Sequence, residues 1–431
     1  SLHPRRPQSR CYNPRMSVRR NLGLLWAGQF ISNLGDQIFA VLVTFLILTL
    51  EEGHEPERKA ALVQFLNYFP HLLFGILAGL AVDRMDRRRL MIGADIARML
   101  IVFGIPAAYV LGHLSWVTVA AVAFGLTTLA TVFNPARDAY LPVLAGAVPL
   151  VRVNALFQTS FLLAMILGSM LAGLLVAGGW SPVALEESGT ETQRIVAVLW
   201  IDALTFLVSA VTIFAIRPPA RPPAPKTRPL STLQDLKQGL RLVLADPLIR
   251  ALLIVTAADN LFLMGPAILG ANLLVKETFG RGPQHFAFLE MALGVGWLTG
   301  TLAVARWAKS IPKGKLVLWG MILDGLTYLP ILFIRSYYLV LGAIAFHGIF
   351  IPWIVVGRTA LVQEEVPPER MGRVFALINM TVIGFTGLSM LITGEAAHVG
   401  LTPPQIFAAG GGLAAACGVA GLFVRRLRTA R

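Results

Sequence analysis

Along the chain, apolar residues gather into long blocks separated by short polar gaps, and the blocks are too long for strands. A hydrocarbon layer of about 30 Å takes about 20 residues of helix to cross. Twelve blocks reach that length: 22–50, 60–82, 90–111, 115–133, 152–177, 195–216, 248–275, 284–307, 316–334, 337–357, 373–395 and 402–424. The pattern predicts an all-α membrane protein.

The gaps alternate in basic content. Of the 37 Lys and Arg residues, only Arg58, Lys59, Arg194, Lys276, Arg281 and Arg335 fall in one set of gaps, and Arg98 lies inside a helix. The rest fall in the other set and in the two tails, so both termini are expected to be cytoplasmic. Residues 1–15 lack an initiator Met; Met16 is the expected start, and the preceding stretch is set apart from the functional reading. The expected division is a tail at 1–16, a first bundle at 17–216, a linker at 217–247, a second bundle at 248–424 and a tail at 425–431. The linker opens with the Pro-rich run "IRPPARPPAPKTRPL", which favours an extended chain. It continues with Leu233, Leu236, Leu240 and Val243 at helical spacing, an amphipathic helix suited to the membrane surface.

Composition supports this class. The chain is 56% hydrophobic and 14% charged, with a mean hydropathy of +0.69, against about 25% charged residues in soluble domains. The net charge of +14 falls in short blocks between spans, which reads as topology rather than nucleic-acid binding. Cys11 and Cys417 are far apart and form no metal or redox motif. No cofactor and no metal are assigned.

The two halves are related. "ARDAYLPVLAGAVPLVRVNAL" from Ala136 aligns without gaps on "GRTALVQEEVPPERMGRVFAL" from Gly357, pairing Arg137 with Arg358 and Arg152 with Arg373 at an offset of 221. "LAGLAVDR" at 77–84 matches "LTGTLAVAR" at 298–306 with one insertion, and "LGDQIFA" at 34–40 falls on "AADNLFL" at 257–263. Matches at nearly constant offset between corresponding helices indicate a parallel repeat.

The loop "GLAVDRMDRRRL", Gly79–Leu90, resembles the G-x-x-x-D-R-x-G-R-R-x-L signature of the major facilitator superfamily, with Asp86 where glycine is usual. "FNPARDAYLP", "VNALFQTS", "LGSMLAGLLVA", "WIDALTFLVSA" and "QEEVPPERMGRVFAL" are similar to the branch of bacterial enterobactin exporters and macrolide efflux proteins. The resemblance runs from about Arg19 to Arg425. It implies the major facilitator fold: twelve transmembrane helices in two pseudo-symmetric six-helix bundles. Related antiporters often carry a G-P-x-x-G-G turn in helix 5, and Gly168–Gly173 here lacks the proline. The resemblance also implies a cytoplasmic gate in which Asp83 faces the start of helix 11 near Arg373, with Gly79, Arg84, Arg87 and Arg88 around it.

Intramembrane polar residues are the candidate chemistry, because a charge at mid-bilayer is costly and usually faces a cavity or bundle interior. Gln29, Asn33 and Asp36 form one stripe, and Gln64, Asn67 and His71 another, with Tyr68 beside it. Asp259 and Asn260 occupy the repeat position of Asp36 and Gln37, with Thr256 one turn earlier. These stripes are expected to converge on a substrate cavity, the alternative being helix–helix hydrogen bonding. Asp36, Asp259, Glu290 and His347 are the candidate proton carriers. Asp95 and Arg98 read as an ion pair, Asp202 and Asp324 as structural, and Glu395-x-x-His398 as insufficient for a metal.

No P-loop is present, so the expected activity is secondary rather than ATP-driven transport. The leading reading is proton-coupled export of an amphipathic organic compound, a drug or siderophore-like molecule, by alternating access in a bacterial inner membrane. Its expected partners are the small-molecule substrate, protons and membrane lipids, with the chain a monomer. A lipid or lysolipid flippase is the alternative. An intramembrane aspartyl protease is the remote one, since Asn33-Leu34-Gly35-Asp36 is not its G-x-G-D motif.

Overall fold

The computed structural model describes residues 14–51, 55–146, 148–177, 190–217, 241, 245–307, 311–366 and 368–430. At 14–17, 76, 77, 79–81, 83, 84, 150, 151, 155, 305, 307 and 368–373 it describes the backbone alone. The amphipathic linker helix lies outside the described residues. So do the side chains of Asp83, Arg84 and Arg373, and with them the expected gate.

The first half consists of α1 (Pro14–Leu50), α2 (Pro56–Arg84), α3 (Arg87–Val110), α4 (Trp116–Ala145), α5 (Leu150–Ala177) and α6 (Glu191–Phe214). The second consists of α7 (Pro247–Thr278), α8 (Pro283–Trp307), α9 (Lys313–Leu332), α10 (Tyr337–Glu365), α11 (Pro368–His398) and α12 (Pro403–Leu422), followed by a short α13 (Arg425–Thr429). By length and composition, 11 of these helices can cross a membrane; the other two are α2, of 29 residues with Pro70 inside it, and the short α13.

Local chemistry fixes many of the ends. Ser115 caps α4, Thr190 caps α6 in a capping box, and Asp246 caps α7 ahead of a first-turn proline. Each supplies a side-chain oxygen to an amide the helix cannot satisfy. Asp86, which stands where the family signature has glycine, caps α3 by accepting the Arg89 N–H at 2.9 Å. α4 ends at Gly146, whose φ of +55° suits glycine.

Several helices outrun their apolar blocks. α4 continues to Ala145 and α10 to Glu365, so residues 134–145 and 358–365, expected as loops, are helical. The apolar count measures the hydrocarbon layer, whereas these polar ends project beyond it.

The packing repeats between halves. α1 packs on α5 and α6, α2 on α4, and α3 on α4 and α6; correspondingly α7 packs on α11 and α12, α8 on α10, and α9 on α10 and α12. The halves meet along two seams, α2 against α11 and α5 against α8. Glycines 221 residues apart sit at equivalent places in them. A Cβ on Gly173 would lie 2.8 Å from Ala287 Cβ and 3.2 Å from the Gln284 carbonyl, and one on Gly394 would collide with Ala61 Cβ. Gly296 and Gly300 lie against the Ala345 and Ile349 carbonyls of α10, close helix contacts of the kind small residues permit.

At the end opposite the termini, the halves are also tied by polar contacts. Arg58 of α2 makes two 2.8 Å hydrogen bonds to Glu395 of α11. Lys276 Nζ donates to the Leu48 carbonyl at 2.6 Å, and His398 Nε2 lies 3.9 Å from Glu55.

Candidate functional site

Between the halves lies a cavity of about 1,300 Å³. Its wall includes Arg137, Asp138, Pro142, Asn154 and Phe157 on α4 and α5, and Val355 and Arg358 on α10, residues toward the end that carries the termini. With the opposite end held by Arg58, Glu395 and Lys276, the cavity faces the termini side.

Asn33, Asp36, Gln64, Asn67, Tyr68, Asp259, Asn260, Glu290 and His347 all line it. The two aspartates differ in setting. Asp36 is exposed to the cavity, whereas Asp259 is 6% exposed and its Oδ1 has no hydrogen-bond partner among the described residues. Local structure explains how α1 can carry an acid here. Gly28 and Gly35, one side of that helix, lie so close to Thr212 and Thr205 of α6 that a Cβ on either would collide, leaving Asp36 on the cavity side.

Three sequence-predicted cavity residues do not line it. Gln29 is buried and accepts a hydrogen bond from Arg137 at 3.3 Å. His71 is 3.0 Å from the Thr131 hydroxyl on α4. Thr256 is buried, and its carbonyl accepts from Asn260 Nδ2 at 2.8 Å. The ends of such a stripe, seven residues apart, are separated by about 10 Å along the helix, far enough for one end to pass the edge of the cavity. Gln64 both lines the cavity and donates to Thr44 of α1 at 2.6 Å, while Asn67 donates to Gln64 at 3.2 Å.

The gate residues described here serve the first half. Arg87 donates to the Ala139 carbonyl of α4 at 3.0 Å, and Arg88 donates to the Ile213 carbonyl at 3.1 Å and to the Phe214 carbonyl. Arg88 thereby occupies the last carbonyls of α6, where a helix dipole favours a cation.

The cavity also holds ionic residues that sequence reasoning set aside or passed over: Arg98, Arg137, Asp324 and Arg358. Arg98 lies 3.9 Å from Asp95 and sits over the rings of Phe133 and Phe206, 5.2 Å from each. Its charge and that of Arg137 act on Asp36, and that of Arg358 acts on Asp259. Asp324, expected to be structural, lines the cavity. Its Oδ1 is 3.1 Å from His347 Nδ1, which is also 2.9 Å from the Thr327 hydroxyl, and the His347 ring stacks on Tyr328 at 4.4 Å.

Signals for these residues were present. The 221 offset pairs Arg137 with Arg358, two arginines now found in one cavity. Aligning the first turns of α3 and α9, Arg87–Leu90 on Lys313–Leu316, puts Arg98 at the place of Asp324. Asp202, by contrast, is buried beneath Gly35 and takes the Thr205 hydroxyl at 3.4 Å, outside the cavity. Glu395 is engaged by Arg58, and among the described residues no group of His, Cys, Asp and Glu could hold a metal.

The arrangement can hold a sizeable molecule between two half-related walls, with carboxylates and guanidinium groups from both. Solved transporters share the fold: a nucleoside transporter, NupG, superposes with a TM-score of 0.73 at 12% identity, covering 94% of this chain and 99% of that one. An inward-facing bacterial homologue of the human lysosomal transporter Spinster superposes at 0.70 with 15% identity, covering 96% of each chain. In sequence, the chain is 25% identical over 358 residues to macrolide efflux protein A of Streptococcus pyogenes, covering 82% of this chain and 83% of the relative. It is 26% identical over 426 residues to the multidrug efflux pump Tap of Mycolicibacterium fortuitum, covering 95% and 97%. The family model of the Major Facilitator Superfamily matches residues 25–387. The chain belongs to the Major Facilitator Superfamily of membrane transporters.

Proposed function

We propose that this transporter is a proton-coupled exporter of amphipathic organic molecules, drug-like or siderophore-like, working by alternating access from a bacterial inner membrane. Both termini are cytoplasmic in this reading, by the placement of the basic gaps. The open cavity then faces the cytoplasm, where an exporter collects its load.

The observation that carries the reading is the pairing of Asp36 and Asp259 in one cavity, one open to it and the other buried in its wall. A carboxyl in such a site exchanges a proton without a full charge being stranded in lipid. The charges of Arg98 and Arg137 act on Asp36, and that of Arg358 acts on Asp259, so a proton taken up by either acid changes its pull on these cations. The cavity's aromatic and aliphatic lining, with Phe161, Phe286 and Trp297, suits a bulky amphipathic ligand. The two relatives whose names specify macrolide and multidrug efflux support that substrate class. Coupling is tested by flux in proteoliposomes with an imposed pH gradient, using a panel of macrolides, dyes, siderophores and lysolipids; uptake indifferent to the gradient would contradict it.

A further inference from the structure

α7 changes helix type at the level of the cavity. It is α-helical over Pro247–Gly265, π-helical over Pro266–Gly270, α-helical over Ala271–Leu273 and π-helical again over Leu274–Thr278. π turns gather at functional sites, and an interruption of the α-helical ladder has identifiable causes. Two meet here. Pro266 has no N–H, so the Phe262 carbonyl loses the donor that an unbroken helix would give it. Gly410 of α12 packs so tightly on that carbonyl that a Cβ would collide with it. One residue earlier, Ser389 of α11 serves the two groups that an α-helix joins directly. The Gly265 N–H donates to Ser389 Oγ at 2.7 Å, and Ser389 Oγ donates to the Leu261 carbonyl at 2.6 Å. Ser389 is 1% exposed.

The repeat provides a comparison within the same chain. Gly173 and Gly394 hold equivalent seam positions 221 residues apart, and the same offset carries Ser389 back to Gly168. A Cβ on Gly168 would lie 3.0 Å from the Leu34 carbonyl of α1, but glycine has no hydroxyl to offer it. α1 runs as one α-helix over Pro14–Leu50. Hydroxyl, proline and change of helix type occur together in the second half; at the matching places the first half has Gly168, Val43 and an unbroken α-helix.

α7 lines the cavity on both sides of the first π turn and within it, with Ala267, Ile268 and Asn272 as well as Asp259 and Asn260. Before it, Asn260 Oδ1 accepts from Thr386 of α11 at 3.2 Å. Beyond it, Lys276 reaches across to the Leu48 carbonyl of the other half. A hydroxyl shared between Gly265 and Leu261 ties this turn of α7 to α11.

We propose that Ser389 is a positioning residue of the transport cycle: its hydroxyl holds the change of helix type in α7 so that Lys276 reaches the Leu48 carbonyl of α1 while Asp259 and Asn260 stay in the cavity wall. Without the hydroxyl, Gly265 and Leu261 have only each other, α7 shifts toward a regular α-helix, and closure at Lys276 weakens.

Double electron–electron resonance on the full chain in nanodiscs tests this without a transport substrate. Spin labels go on His113→Cys and Arg335→Cys, exposed positions on the two halves at the end opposite the termini, with Cys11 and Cys417 replaced by Ser. Ser389→Ala is expected to raise the longer-distance fraction at least twofold. Pro266→Ala, which restores a donor to Phe262, is expected to shift it in the same direction, and Ser389→Thr, which keeps the hydroxyl, to retain the parent distribution. Parent-like distances in both alanine variants would overturn the proposal, whatever their stability. So would a shift in Ser389→Thr equal to that in Ser389→Ala. Should Ser389→Ala not fold, Pro266→Ala decides alone.

Discussion

Arg98 on α3 and Asp324 on α9 stand at equivalent places in the two halves, carry opposite charge, and both reach the central cavity. Each lies in the field of the cavity aspartate of its own half, Arg98 with Asp36 and Asp324 with Asp259. The repeat therefore preserves positions while inverting the electrostatics. The first half sets a cation among Asp36, Asp95 and Asp202; the second sets an acid beside His347.

Arg98 is also the more demanding of the two to replace. Its guanidinium lies over both Phe133 and Phe206, a planar arrangement that an ammonium cannot reproduce. Arg98→Gln leaves buried acids without their cation, a change of about 3–5 kcal/mol for a fully buried pair. Thermal unfolding followed by fluorescence-detected size exclusion is expected to rank the variants Arg98, then Lys, then Gln. A Lys variant as stable as the parent would contradict the stacking role.

The Arg58–Glu395 pair joins α2 to α11 with both side chains about half exposed. Exposed pairs add little to stability because solvent screens them, so Arg58→Gln is expected to leave the melting temperature nearly unchanged. Its effect should appear in the balance of conformations, as a larger open fraction at that end in distance measurements. The double exchange Arg58→Glu with Glu395→Arg is expected to restore the parent distribution, and an uncorrected one would argue against a specific pair.

Gly173 and Gly394 allow the seams to close. Val at Gly394 drives methyl groups into Ala61 and the backbone at Glu57, which helix packing cannot absorb without the halves parting. Gly394→Val is expected to hold the end opposite the termini open and to reduce transport at least tenfold with normal expression. Cysteine accessibility from the outside reads this directly, and parent-like protection would refute it.

Asp86 gives the mildest expected change. Its carboxylate caps α3 through the Arg89 amide, so Asp86→Ala should cost about 0.5–2 kcal/mol, while the glycine usual at this site should cost only a few tenths. Chemical or thermal unfolding of the pair checks the order.

Much of this was legible in sequence, and the exceptions have physical reasons. Span positions follow from apolar length, but α4 and α10 continue past their apolar blocks as polar helix, which hydropathy cannot register. The stripe of Gln29, Asn33 and Asp36 predicted one face of α1, yet only its later members reach the cavity; spacing gives a face, not the extent of the void it meets. Asp324 was read as structural because position on α9 does not show what its side chain meets, which is the cavity and, at 3.1 Å, His347 Nδ1. Arg137 and Arg358 were already paired by the repeat, but nothing in one dimension shows that both turn inward. Ser389 carried no sequence signal beyond its mismatch with Gly168.

The central claim is that a proton exchanged at Asp36 drives export. The most direct measurement is substrate flux into inside-out proteoliposomes with and without an imposed pH gradient, in the parent, Asp36→Asn and Asp259→Asn. Flux in the parent is predicted to rise at least tenfold with the gradient, Asp36→Asn to lose that response, and Asp259→Asn to keep part of it. A parent flux indifferent to the gradient, or a full response in Asp36→Asn, would contradict the account.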